Sequence, residues 1–260
     1  MKTNYHTHTL RCKHAKGTEL DYLKEALEQG LSILGFSDHA PYPDDKYSHY
    51  CMDFSELTDY IRTLDELKSE YQRQITIYKG LEIEYSPFDY AYYEKLLGHY
   101  GLDYLALGQH FYIQDNQKAV SPSSVTNTSQ YIDYARSLED GMRTGFFKFI
   151  AHPDIIFANN FSFDSNCKKA CDIILSAATK YDTILEFNAN GVRRGKSDFA
   201  DGHRYQYPYI PFWDMALNSS IKVVINSDCH TPKQLWDDCM IKAHDLAREM
   251  NLNVIDEIFK

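Results

Sequence analysis

The chain has 260 residues, 43% hydrophobic and 25% charged, the proportions of a globular protein rather than of a disordered or low-complexity one. A formal net charge of −10 opposes broad attachment to nucleic acid. No apolar run approaches the ~20 residues needed to span a bilayer, and the N-terminus lacks the charged-then-apolar layout of a signal peptide, so a cytoplasmic, membrane-free protein is expected.

In chain order, β-rich apolar runs alternate with helical patterns. Strands are predicted at about 3–7, 31–37, 75–84, 103–109, 147–151, 183–188 and 221–227. After the first, Thr18 and Asp21 resemble a capping box, Leu20, Leu23 and Leu27 share a helix face, and Gly30 stands where a C′ glycine belongs. Further helices are expected at about 55–72, 128–142, 166–180, 208–219 and 232–249. This alternation implies βα units and a mainly parallel sheet. No linker or internal repeat interrupts it, so 1–260 reads as a single domain. Residues 111–127 and 189–207 are polar, follow strands and read as binding loops. Cys12, Cys51, Cys167, Cys171, Cys229 and Cys239 are scattered through a chain without an export signal and are expected as reduced thiols, with Cys167 and Cys171 packing on one helix face.

The histidines fall into register with this map. Side chains at i and i+2 of a strand share a face, so His6 and His8 can approach one ion together. Other strands end in, or contain, Ser37-Asp38-His39, Gly80-Leu81-Glu82, Gly108-Gln109-His110, Ala151-His152-Pro153-Asp154 and Ser227-Asp228-Cys229-His230. Seven of the 11 histidines, His6, His8, His14, His39, His110, His152 and His230, lie at or just beyond strand ends; His49, His99, His203 and His244 do not. In a βα barrel those ends converge, and imidazoles with a few carboxylates suit Zn, Fe or Mn in a multinuclear site.

Together these motifs, in this order from residue 6 to 230, resemble the polymerase and histidinol phosphatase (PHP) superfamily. The resemblance implies a distorted (β/α)7 TIM-like barrel with three divalent metal ions, Zn, Mn or Fe. It assigns His6, His8, Glu82 and Asp228 to one ion. Glu82 bridges to a second, also held by His110 and His152, and His14, His39 and His230 hold a third. Glu84 is the rival bridge, and Asp38 and Asp154 are expected to hydrogen-bond around the site rather than ligate. Glu82, Asp228 and His230 then carry catalysis, with a hydroxide bridging the first two ions as nucleophile and the third ion binding phosphate oxygens.

Residues 186–194, EFNANGVRR, resemble the E-x-N-x-x-G-x-R-K segment of the histidinol-phosphatase branch, with Arg194 in place of the usual Lys; Tyr207-Pro208 matches a downstream pair. Arg193 is the expected phosphate clamp. Arg194 is expected as an approach charge, and Glu186, Asn188 and His203 as further substrate contacts. The implied reaction is hydrolysis of L-histidinol phosphate to L-histidinol and phosphate in histidine biosynthesis. Alternatives are another PHP phosphoesterase, a phosphotyrosine phosphatase or nuclease included, or a non-catalytic metal-binding module. No partner other than this small phosphorylated substrate is implied, and oligomeric state leaves no mark in the sequence.

Overall fold

The computed structural model of the chain describes residues 1–113, 119–217 and 219–259. Its strands are β1 Thr3–Asn4, β2 Ile33–Phe36, β3 Thr76–Ile83, β4 Tyr104–Leu107, β5 Tyr112–Ile113, β6 Ala119–Val120, β7 Phe147–Ile150, β8 Ile184–Asn188, β9 Lys196–Phe199, β10 Gly202–Tyr205 and β11 Val223–Asn226. Seven of these form one parallel sheet in the order β1-β2-β3-β4-β7-β8-β11, and each lies within a predicted strand.

The outer strands meet to make a nearly closed barrel. Here the register is held by side chains instead of a ladder. Tyr5 N donates to Asn226 Oδ1 at 2.8 Å and Ser227 N donates to Asn4 Oδ1 at 2.7 Å, followed by a parallel bridge between Thr7 and Cys229. This is why β1 is two residues long where 3–7 was expected.

Inside the barrel, Tyr5, Tyr104, Phe149, Val224 and Ile258 form a buried layer below the strand ends. The Tyr104 hydroxyl lies 2.6 Å from Tyr5 O and 2.9 Å from Phe36 O, donating across the interior. Its ring occupies the space over Gly80, where a Cβ would come within 2.3 Å of it. At the N-terminal end of the barrel, Val254 bridges to Val223, and Phe259 stacks on Tyr78 with centroids 4.1 Å apart.

Helices α1 Glu19–Glu28, α2 Leu57–Tyr71, α3 Tyr90–Glu94, α4 Gln130–Thr144, α5 Ser165–Lys180, α6 Ala189–Arg193, α7 Ile210–Ala216 and α8 Asp238–Glu249 clothe the outside. The capping box of α1 is present, with Thr18 N donating to Asp21 Oδ2 at 2.8 Å and Asp21 N to Thr18 Oγ1 at 3.3 Å. Its buried face is Tyr22, Leu23 and Ala26, so the predicted stripe is displaced: Leu20 and Leu27 flank it, only partly buried. In α5, Cys167 and Cys171 are packed in the core, and all six cysteines are free thiols.

Three expectations change. The helix expected at 208–219 is the shorter α7, and position 218 lies outside the described residues. That at 232–249 divides into a short turn, Pro232–Gln234, and α8, whose start is set by Asp237 accepting from Met240 N. The segment 189–207 is structured: Asn188 caps α6 by accepting from Asn190 N at 2.8 Å, and β9 and β10 pair as an antiparallel hairpin. Of the loop expected at 111–127, residues 114–118 lie outside the described residues; the flanks pair as β5 and β6. No helix among the described residues is long and apolar enough to cross a membrane.

Candidate metal centre

The C-terminal ends of the barrel strands bring the predicted histidines and carboxylates together. His6 and His8 follow β1, their Nε2 atoms 3.0 Å apart. Glu82, on β3, places Oε2 3.4 Å from each of these atoms, and Asp228, just after β11, places Oδ1 3.7 Å from His6 Nε2 and 3.3 Å from His8 Nε2. Two donors bound to a tetrahedral Zn at 2.0–2.1 Å stand about 3.3 Å apart. The separations in this quartet, 3.0–3.7 Å, bracket that figure.

Glu82 is the hub. Its Oε1 lies 3.0 Å from His152 Nε2 and 3.7 Å from His110 Nε2, while Oε2 lies 3.1 Å from His39 Nδ1. Glycine at position 108 makes room for it, since a Cβ there would sit 2.6 Å from Glu82 Oε1. Farther out, His14 and His230 bring their Nε2 atoms to 3.1 Å; the His14 ring packs near His39 and His8, and the His230 ring near His8. Burial is graded, from fully enclosed His6, His8, Glu82, His152 and Asp228 to partly buried His110 and His230 and exposed His14. Gln109, His152 and Asp228 hold positive φ of 49°, 29° and 47°, so three of these turns are sharp where the ligand-bearing side chains emerge.

Hydrogen bonds behind the cluster orient the rings. His6 Nδ1 donates to Glu186 Oε1 at 2.8 Å, His110 Nδ1 to Glu84 Oε1 at 3.0 Å, and His14 Nδ1 to Cys12 O at 2.7 Å, which turns each Nε2 toward the cluster. Glu84 therefore backs His110, its oxygens accepting from His110 Nδ1 and Phe111 N. Asp38 accepts from Thr9 N and Oγ1, and Asp154 from Tyr209 N and Trp213 Nε1; both secure neighbouring backbone or helix, as expected.

The electrostatics divide the imidazoles. Burial works against a charged His6, but Glu186, Asp228 and Glu82 outweigh it and hold its pKa well above the usual value. Burial likewise opposes charge on His110, yet Glu82 and Glu84 raise it to about 9. His8 is held well below its usual value by burial and by His39 and His230. Burial also lowers His14, His39 and His230. Burial alone would raise Glu82 and Asp228, but the surrounding histidines reverse this and keep both strongly acidic.

One atom shows what the cluster lacks. Glu82 Oε2 is buried and has no hydrogen-bond donor although three imidazole nitrogens surround it. A divalent cation satisfies such an oxygen, and neutral imidazoles with carboxylates are the donors that Zn, Mn and Fe accept. The residues thus fit transition-metal ions.

Above the cluster opens a cavity of about 680 Å³. Besides His14, His39, Glu82, His110, His152, Asp228 and His230, its walls include His49, Tyr50, Phe111, Ser121, Asn190, Arg194 and Tyr207. Both predicted binding loops thus contribute. The substrate residues expected within and beside α6 are redistributed. Arg193 faces away: Nε donates to Asp237 Oδ2 at 2.8 Å, and its other nitrogens reach Asn190 Oδ1, Ser227 O and Oγ, Gln234 O and Asp237 Oδ1. With its donors taken, Arg193 is a brace and not a clamp. Arg194 lines the cavity, and its guanidinium makes no hydrogen bond or ion pair among the described residues; it sits 5.8 Å from the centroid of the Tyr207 ring.

Glu186 is fully buried and saturated by His6, His152 N, Asn188 and Asn226, so it reaches no ligand in the cavity. Asn188 is equally enclosed, bonded to Glu186 and Asp228. His203 is exposed on the β9–β10 hairpin, paired with Asp198 at 2.8 Å, and does not line the cavity. Sequence reasoning missed His49 and Tyr50 as lining residues; the signal available was that the segment carrying them follows β2, whereas Phe111 opens the loop expected at 111–127.

Several known proteins are similar to this chain. The model of the PHP domain family matches residues 4–190. The histidinol-phosphatase of Bacillus subtilis is 27% identical over 259 residues, covering 88% of this chain and 94% of that protein. A Deinococcus radiodurans protein named "probable histidinol-phosphatase" is 28% identical over 236 residues, 88% of this chain and 86% of its own. Among solved structures, the histidinol phosphate phosphatase of Lactococcus lactis, complexed with zinc, L-histidinol and phosphate, superposes with a TM-score of 0.70 at 17% identity, covering 98% of this chain and 95% of that one.

Proposed function

This chain belongs to the PHP domain family, and from that premise we propose that it is a metal-dependent histidinol-phosphatase, converting L-histidinol phosphate and water to L-histidinol and phosphate in histidine biosynthesis. The observation that carries the reading is the Glu82 hub, a buried carboxylate ringed by imidazoles at coordination spacing beneath an open cavity. The named relatives, similar over most of their length, supply the substrate.

Three ions are assigned. His6, His8, Glu82 and Asp228 would hold the first, Glu82, His110 and His152 the second, and His14, His39 and His230 the third. When bound, such ions supply Lewis acidity toward phosphate oxygens and a water that loses its proton near neutral pH. The protein's own contribution begins with preorganisation: Glu186 and Glu84 fix the orientation of His6 and His110 before any ligand arrives. Arg194, free of internal partners, would meet phosphate oxygens with its guanidinium. Arg193 keeps α6 against Ser227 and Asp237, fixing where Arg194 emerges.

The test is phosphate release by the metal-loaded protein from L-histidinol phosphate and from simple phosphomonoesters. A marked preference for histidinol phosphate is expected; equal rates on ethyl phosphate would remove the substrate while leaving the metal centre in place.

A further inference from the structure

The cavity is chemically lopsided. Its acidic wall residues are Glu82 and Asp228, both committed to the histidine cluster, so a positively charged organic group entering from solvent finds no free carboxylate among the described lining residues. It does find aromatic faces. Tyr47, Tyr50 and Phe111 lie nearly parallel: Tyr47 and Phe111 at 4.6 Å and 12°, Tyr50 and Phe111 at 6.0 Å and 18°, Tyr47 and Tyr50 at 5.8 Å and 29°. Tyr50 and Phe111 reach the cavity.

The Tyr50 ring stands edge-on to His39, centroids 5.4 Å apart, so this surface begins directly beside the metal-ligand cluster. That closeness suits a substrate whose planar group is only a few bonds from its phosphate. Tyr207 and Arg194 border the cavity by His152 instead, with Tyr207 and His152 rings 6.1 Å apart.

The surface is also anchored to its surroundings. Phe111 N donates to Glu84 Oε2 at 3.2 Å, and its carbonyl accepts from Gln109 Nε2 at 2.8 Å. The same Glu84 orients His110, so the aromatic surface and the cluster share one support. The segment bearing Tyr47 and Tyr50 is tied down by Lys46 on Asp89 at 2.7 Å, by Lys13 on Ser48 O at 2.6 Å, and by buried Cys51 and Met52.

We infer that Tyr50 and Phe111 form the platform on which the planar, cationic end of the substrate stacks, and that this platform selects the organic half of the phosphoester. The inference rests on the histidinol-phosphate reading. Aromatic pairing and cation–π attraction both reward a flat imidazole or imidazolium ring there, and an ammonium group gains from the second.

The experiment compares the metal-loaded parent with Phe111→Leu, Tyr50→Leu and Phe111→Tyr on histidinol phosphate and on ethyl phosphate, and measures L-histidinol binding by calorimetry. Each Leu variant is expected to raise KM for histidinol phosphate and Kd for histidinol about five- to tenfold, the reach of one lost aromatic contact. Its kcat stays near the parent's, its KM for ethyl phosphate is unchanged, and Phe111→Tyr behaves as the parent. Parallel changes on both esters, or unchanged histidinol binding in both Leu variants, would overturn the platform. A parent with no preference for histidinol phosphate over ethyl phosphate would instead remove the substrate reading, a result separable from the first because histidinol binding is read independently. Should one Leu variant fail to fold, the other carries the test.

Discussion

The imidazole of His6 and the carboxylate of Glu186 meet at 2.8 Å, both completely enclosed, one following the first barrel strand and the other in the eighth strand of the chain. Glu186 receives four donors in all, from His6, His152 N, Asn188 and Asn226, so it organises two candidate ligands at once. Replacing it by Gln sets an amide N–H against at least one of those donors. Glu186→Gln is expected to lower metal affinity or turnover by about 10- to 100-fold, read as metal-to-protein ratio by mass spectrometry alongside phosphate release. Retention of both at parental levels would show that Glu186 has no orienting role.

Gly108→Ala tests the room left for Glu82. The added methyl would fall 2.6 Å from Oε1, and the backbone around Gly108 is part of the sharp turn leading to His110. Metal content is expected to drop together with turnover, by about tenfold or more, while the far-ultraviolet circular dichroism stays that of the parent. Normal metal binding in this variant would mean that Glu82 can withdraw without loss.

The two arginines separate stability from activity. Arg193→Ala strips partners from Asp237, Ser227 and Gln234 and is expected to destabilise the fold by about 3 kcal/mol, as breaking a largely buried pair does. Arg194→Ala is expected to leave the unfolding midpoint unchanged and to cut kcat/KM about tenfold or more, since it removes a charged donor from the cavity and no internal bond. Chemical denaturation and steady-state kinetics on both variants decide it; the reverse pattern would restore Arg193 as the clamp.

Asp154 supplies a pH dependence. Burial pushes its carboxyl up to about 6 although Tyr209 N and Trp213 Nε1 donate to Oδ2, and Oδ1 has no donor. An unfolded aspartate titrates near 3.9. Between these values the folded protein binds the extra proton, so stability tied to this group rises as pH falls through about 6 and levels off below about 4. Above pH 6 the buried charge costs on the order of 3 kcal/mol. Asp154→Asn, able to accept the same two bonds, is expected to stabilise the metal-free protein at pH 8 and to lose that advantage by pH 4. Denaturation curves at the two pH values measure the difference; an equal gain at both would show that the charge is irrelevant.

Much of the barrel was legible because most of the parallel strands after the first are apolar runs with polar residues at or just beyond their C-terminal ends, and that end is where the candidate site lies. The seven clustered histidines, Glu82 and Asp228 were readable for the same reason. What escaped was rotational. Arg193 and Arg194 sit at successive positions of a one-turn helix and its cap, where neighbouring side chains diverge by about 100°, so which of them faces the cavity depends on how α6 seats against Ser227 and Asp237. A segment read as irregular loop contains no such register. Likewise Glu186 looks like a pocket residue in a motif, but strand alternation alone cannot reveal that four donors converge on it from behind.

The join between the first and last barrel strands bears on the centre in another way. Residues 6 and 228 are 222 positions apart, yet their candidate ligand atoms stand within 3.7 Å, and two reciprocal amides, Asn4 and Asn226, cross-link the strands just before the Thr7–Cys229 bridge. Asn226 also donates to Glu186, and Glu186 in turn holds His6. The opening of the jaw proposed to grip the first ion is therefore gauged by the span of an asparagine side chain. Shortening or lengthening that gauge by one methylene would reset the bite without altering a single ligand.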